Sequence, residues 1–131
     1  MVAAAITESA GSSEIFERGF VTYSNAAKTD LLGVSPATLE AHGAVSEEVA
    51  AEMATGARQA AGSTLAVAIT GIAGPGGSEH KPEGRVCFAL ADGESCRTET
   101  VEFGALGRSE VRAASRDHAL TLLIVALTPK D

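Results

Sequence analysis

The spacing of apolar residues changes along this chain, and each change marks an element. Met1–Thr7 (MVAAAIT) is Ala-rich and apolar and predicts the end of a helix, which Gly11-Ser12-Ser13 breaks. Phe20–Ser24 (FVTYS) is β-branched and aromatic and predicts a strand. Asn25 then caps a short helix through Leu32, with Gly33 to end it, and Ser35-Pro36 starts another running towards His42-Gly43. Ser46 opens the clearest helix, with Glu47 and Glu48 in its first turn, where acids suit the helix dipole. Val49, Met53, Gly56, Ala57 and Ala60 recur at helical spacing and form a narrow face of mostly small residues, which lets a helix lie close on a sheet.

The second half reads as strands and then one long helix. Leu65–Thr70 (LAVAIT) is a short continuous apolar run, as in a strand buried on both faces. Arg85–Ala91 and Thr98–Phe103 predict two further strands joined across Asp92-Gly93, a hairpin signal. From Arg108 a final helix carries Val111, Ala114, His118, Leu122 and Val125 at helical spacing. This order predicts an α/β fold, a three-layer α/β/α sandwich with a mixed sheet, as a single domain over residues 1–131.

Composition narrows the function classes. Apolar residues make up 45% and charged residues 21% of the 131, which suits a soluble globular chain able to bury a core without disulfides or metal. The net charge of −7 disfavours nucleic acid, which needs a basic face, but one arginine or a few backbone amides still suffice for a small anion. Cys87 and Cys96 are too few for a disulfide framework and read as reduced strand residues. No run approaches the ~18 apolar residues of a membrane span, and MVAAAITES lacks a basic leader. The cytosol and no membrane partner follow as the expectation.

Two stretches carry candidate chemistry. Residues 11–28, GSSEIFERGFVTYSNAAK, hold two serines, a tyrosine and a lysine. A neutral amine can take a hydroxyl's proton and make a useful nucleophile, provided burial or a nearby cation lowers the lysine pKa well below ~10.4. The plainer alternative makes Ser12 and Ser13 a turn and cap, Tyr23 a strand residue and Lys28 a solvated helix lysine. Residues 70–84, TGIAGPGGSEHKPEG, follow a buried strand at its carboxyl end, where ligands bind in open α/β sheets. This is neither a Walker A loop nor a GxGxxG, and as a bare pattern it also fits a turn. Arg108 heads the last helix, where a guanidinium and a helix start together suit a phosphate; a solvated surface arginine is the alternative. His42, His80 and His118 have no ligand spacing and predict no metal.

Both stretches resemble the nicotinamide-nucleotide amidohydrolase family, the C-terminal domain of the competence/damage-inducible protein CinA. The family string GSS…F..G.VTYSN..K is similar throughout to residues 11–28, and TGIAGPGG…KP.G to the glycine loop. The resemblance implies hydrolysis of the carboxamide of nicotinamide mononucleotide, without a cofactor or metal. It implies Ser13 as nucleophile, with Lys28 and Tyr23 as its activating partners. For substrate binding it implies Ser12, Thr70 pointing into the pocket, the loop glycines Gly71, Gly74, Gly76 and Gly77, and an arginine. The family's GxR…VR pattern meets LGR here, so Arg108 and Arg112 remain alternatives for that arginine.

Some positions depart from the family. Glu83-Gly84-Arg85 stands where it usually has Val-Gly-Thr, and Ala26 where it often has Glu. Family chains also begin with a helix and a strand ending in an ESCTGG-like turn, whereas Met1–Thr7 resembles the middle of the next helix. The expectation is therefore an N-terminally truncated domain with an unpaired sheet edge, which favours a homo-oligomer. Two functions stand side by side: a Ser-Lys type amidase for a small nucleotide substrate, and an inactive nucleotide-binding or interaction fragment of that family.

Overall fold

The structure, a computed structural model, describes residues 1–78 and 80–129. In chain order it forms α1 (Val2–Thr7), a 3-10 turn (Ser12–Glu14), α2 (Asn25–Leu32), α3 (Pro36–His42), α4 (Glu47–Ala61), β1 (Ala66–Gly71), β2 (Arg85–Ala91), β3 (Cys96–Glu102) and α5 (Arg108–Leu127). Serine hydroxyls start the middle helices. Ser35 Oγ accepts from Ala37 N at 3.2 Å and Ser46 Oγ from Val49 N at 3.2 Å, each satisfying an amide that the first turn leaves free. The cap of α2 is Ser24, which accepts from Ala27 N at 3.1 Å; Asn25, expected there, is the first helical residue. Left-handed glycines, Gly33 and Gly62, close α2 and α4.

The strands pair in the order β1-β2-β3. Both pairings are antiparallel, where the sequence alone suggests a mixed sheet. Among the described residues between β1 and β2 there is no helix to carry the chain across a face, and the chain returns beside the strand it left. The turn from β2 to β3 is tied by Asp92 Oδ1, which accepts from the amides of Glu94 and Ser95 at 2.8 Å each. Phe20–Ser24 is not a strand. Val21 and Tyr23 are 86% and 85% exposed, and strand-favouring side chains confer no strand where no pleated surface is offered to them.

Alternation along β2 divides the core in two. Cys87, Ala89 and Ala91 face Val49, Ala50, Met53 and Ala54 of α4, with Leu32, Val34 and Leu39 behind them. Val86 and Phe88 face Val111 and Ala119 of α5, with Val2 of α1 packed alongside. The result is the three-layer α/β/α arrangement. Phe88 is fully buried and meets Phe103 edge-on at 6.4 Å, so truncating it to Ala would cost about 3–5 kcal/mol. The small residue at Gly56 serves a close approach to another helix and not to the sheet: a Cβ there would collide with the Leu32 carbonyl of α2. At its C-terminal end α5 overhangs the sheet, and Val125, expected on the buried face, is 63% exposed. Among the described residues β1 has no strand on its outer edge. No described helix is long and apolar enough to cross a membrane.

Candidate active site at the end of β1

The glycine loop leaves β1 at Gly71 and is pinned at its base. Ile72 N donates to Arg85 O at 2.9 Å, and Gly84 N to Ile72 O at 2.8 Å. Further out, Ser78 and Lys81 exchange backbone bonds of 3.0 and 2.7 Å. Lys81 Nζ then donates to the carbonyls of His42 and Val45, at 2.6 and 2.5 Å, and so ties the loop to the α3–α4 connection. Within the loop Gly74 is buried at φ 92°, a conformation glycine alone adopts at little cost. Its neighbour Gly76 donates its amide to the carboxylate of Glu83.

Arg108 joins this loop to the first sequence stretch. It is the first residue of α5, and its guanidinium reaches past the end of the sheet. Nη1 donates to Gly74 O at 2.7 Å and Nη2 to the Tyr23 hydroxyl at 2.8 Å. Tyr23, released from any strand, thus exposes its ring and engages its oxygen. Arg112, the alternative arginine, instead lines an apolar cleft of about 220 Å³ with Met1, Val2 and Ile69.

Lys28 is buried on α2, at 7% exposure, and is not a solvated helix lysine. Its Nζ donates to Thr22 O at 2.7 Å, and burial lowers its pKa from the ordinary 10.5. That shift favours the neutral amine a general base requires. The Thr22 carbonyl aims the amine at the segment that carries Tyr23.

Ser12 and Ser13 form the 3-10 turn after Gly11, which is left-handed at φ 84°. Ser12 is half-buried and Ser13 exposed. No direct hydrogen bond joins the side chain of Ser13 to Lys28 or to Tyr23, whose polar atoms are engaged by Thr22 O and by Arg108. Thr70, expected to point into the pocket, faces the α4 side, opposite Cys87 in the ladder. Its hydroxyl donates to Ala44 O at 2.7 Å, since a buried hydroxyl takes the nearest free carbonyl. Thr70 and Lys81 hold the same α3–α4 connection from two sides.

Arg108 thus links a tyrosine oxygen to a loop with four glycines over 71–77, the buried Lys28 amine is held by Thr22 next to that tyrosine, and Ser13 carries an exposed hydroxyl on the 3-10 turn after Gly11. These are the parts acyl transfer uses: nucleophile, proton acceptor, and donors for a developing oxyanion or a bound anion. The contacts of Glu83 and Lys81 were not legible beforehand. The one signal for Glu83 is a carboxylate seven residues past Gly76, at the end of the glycine-loop stretch.

His80 lies in the loop stretch itself, at φ 64°, while His42 and His118 lie outside it. His118 sits 2.5 Å from Glu99 and meets the Phe88 ring at 4.4 Å with the planes tilted by 53°, while His42 pairs with Glu48 at 3.6 Å. A second cleft, between the α3–α4 connection and strands β2 and β3, has its main charges partnered. Glu47 accepts from Thr98 and Thr100 at 2.7 Å each, and these bonds, that from Thr100 most, lower its pKa. Arg85 pairs with Glu102 at 2.6 Å. Cys87 and Cys96 are free thiols.

Comparison with known proteins agrees on one family. Residues 1–127 match the family model of the CinA C-terminal domain. A CinA-like protein of Geobacter sp. is 55% identical over 124 residues, covering 94% of this chain and 30% of its own length. The nicotinamide-nucleotide amidohydrolase PncC of Enterobacter agglomerans is 62% identical over 92 residues, or 70% of this chain and 56% of that protein. The chain thus spans about a third of the CinA-like relatives it matches. Among solved structures, the competence/damage inducible protein of Agrobacterium tumefaciens superposes with a TM-score of 0.91 at 47% identity, over 95% of this chain and 76% of that one. A CinA superfamily protein of Escherichia coli gives 0.91 at 38% identity, over 96% and 73%. On both the sequence and the fold, the chain belongs to the CinA C-terminal domain family.

Proposed function

We propose that the chain is a nicotinamide-nucleotide amidohydrolase, converting nicotinamide mononucleotide and water to nicotinate mononucleotide and ammonia. Ser13 Oγ attacks the carboxamide carbon and Lys28 takes its proton, directly or through Tyr23 or one water. The same proton leaves with ammonia, and water then hydrolyses the acyl-serine ester. Backbone amides of the loop over Gly71–Gly77 and Arg108 hold the phosphate or the oxyanion, with Ser12 beside the nucleophile and Thr70 supporting the wall. The contact that carries this reading is Arg108 bridging Tyr23 and Gly74, because it draws separate segments together beside a buried lysine. The 62% identity to a protein named for this activity supports the choice of substrate.

The net charge of −7 supports a small-molecule partner over nucleic acid; a cytosolic location and a reaction without cofactor belong to the same proposal. The unpaired edge of β1 supports a homo-oligomer of single-domain chains. A second reading, a nucleotide-binding module without turnover, draws support from one observation: the Lys28 amine is engaged by Thr22 O and not by Ser13. Incubation of the purified protein with nicotinamide mononucleotide separates the two. Equal amounts of nicotinate mononucleotide and ammonia support the amidase; saturable binding with no product supports the module.

A further inference from the structure

We propose that Glu83 sets the anion affinity of the glycine loop: its carboxylate occupies the Gly74–Gly76 cradle and competes there with the phosphate group of a nucleotide. The inference rests on the preceding reading, in which this loop is the anion site. Glu83 Oε1 accepts the Gly76 amide, and the same carboxyl lies over the Gly74 α-carbon. A Cβ built on Gly74 would stand 2.6 Å from Glu83 Cδ and 2.7 Å from Oε1, so the carboxyl fills the space that the missing side chain leaves. Gly74 and Gly76 are both left-handed, at φ 92° and 82°, which turns the loop backbone around this point. The loop therefore already holds an anion, supplied by its own chain.

The neighbouring cation does not neutralise that anion. Arg108 spends Nη1 on Gly74 O and Nη2 on Tyr23, and among the described ion pairs none joins it to Glu83. A carboxylate and a phosphate are both acceptors only, so one amide cannot serve both fully, and like charges at close range repel. A valine at this position would leave the Gly76 amide free of the carboxylate. Glu83 thus makes a phosphate monoester displace a resident ligand, while the uncharged part of the same nucleotide meets no such competition.

The test compares the purified protein with Glu83→Gln and Glu83→Val by calorimetric titration with inorganic phosphate, nicotinamide mononucleotide and nicotinamide riboside. Thermal melting shows which variants are folded. Glu83→Gln keeps the side chain's shape and decides the matter if Glu83→Val does not fold. Tightening of phosphate and of the mononucleotide by about tenfold, or ~1.4 kcal/mol, with riboside unchanged, is expected for Glu83→Val, and a smaller gain for Glu83→Gln. Unchanged or weaker phosphate binding in the folded variants overturns the proposal; if the mononucleotide still binds, the substrate reading stands. Tighter phosphate with no mononucleotide binding by any form supports the role of Glu83 and overturns the substrate reading. If neither phosphate nor the mononucleotide binds any of the three proteins, both are overturned.

Discussion

Arg108 and Tyr23, 85 residues apart, are joined by a 2.8 Å hydrogen bond from the guanidinium to the phenol oxygen. The other arm of the guanidinium holds Gly74 O at 2.7 Å. Each partner alone is a weak sequence signal: an exposed tyrosine, a glycine in a turn, an arginine at a helix start. A planar guanidinium with donors in fixed directions can join the other two, and it makes one site of them.

Arginine and lysine should therefore not be interchangeable at position 108. A lysine offers one ammonium on a flexible stem and does not reproduce the fork. Arg108→Lys is expected to weaken binding of nicotinamide mononucleotide by about tenfold, of the order of one charge-assisted hydrogen bond. Arg112→Lys, in the apolar cleft on the α1 side, is expected to leave it within about twofold, since no charge-assisted contact to the site is lost. Calorimetric titration of the two variants checks both.

Lys28 predicts a pH dependence of known sign. Burial lowers its folded-state pKa below the 10.5 of the unfolded chain. Between those two values the unfolded chain binds more protons, so the contribution of Lys28 to stability rises with pH through that window. Below the folded pKa the ammonium is buried and its full desolvation cost stands. Urea denaturation across a pH series should show the stability of the wild type, relative to Lys28→Met, flat below that pKa and climbing towards 10.5. The same protonation should set the acid limb of any hydrolysis, with rate rising as Lys28 loses its proton.

Gly56→Ala should run against the usual helix rule. In an open helix this change gains about 1 kcal/mol from propensity. Here the new methyl meets the Leu32 carbonyl, which belongs to the packed end of α2 and cannot swing away as a side chain would. A net loss of about 1–3 kcal/mol is expected, as for an overpacked core, measured as a lower urea midpoint.

Local patterns carried much of the fold. The serines before α3 and α4, Gly33 after α2 and the Asp92-Gly93 turn each act within a few residues, so a single chain displays them. The run expected to be buried on both faces was Leu65–Thr70, but the strand so buried is β2, because β2 is central in the sheet with helices over both faces while β1 lies at its edge. FVTYS misled because strand character depends on a neighbour to pair with, and the neighbour is not written in the segment. The antiparallel direction of β1 and β2 depends on the path of the loop between them. The sequence offered a solvated helix lysine as one alternative for Lys28, and its burial against Thr22 O follows from how α2 packs. The direction of Thr70 depends on which carbonyl lies opposite, and Ala44 supplies it from another layer.

The most direct measurement is product formation from nicotinamide mononucleotide by the purified protein and its Ser13→Ala variant. The wild type is expected to release ammonia and nicotinate mononucleotide in equal amounts. Ser13→Ala, with the nucleophile gone, is expected to be slower by at least ~10²-fold while still binding the nucleotide. No product from the wild type, or product from Ser13→Ala at the wild-type rate, would contradict the account.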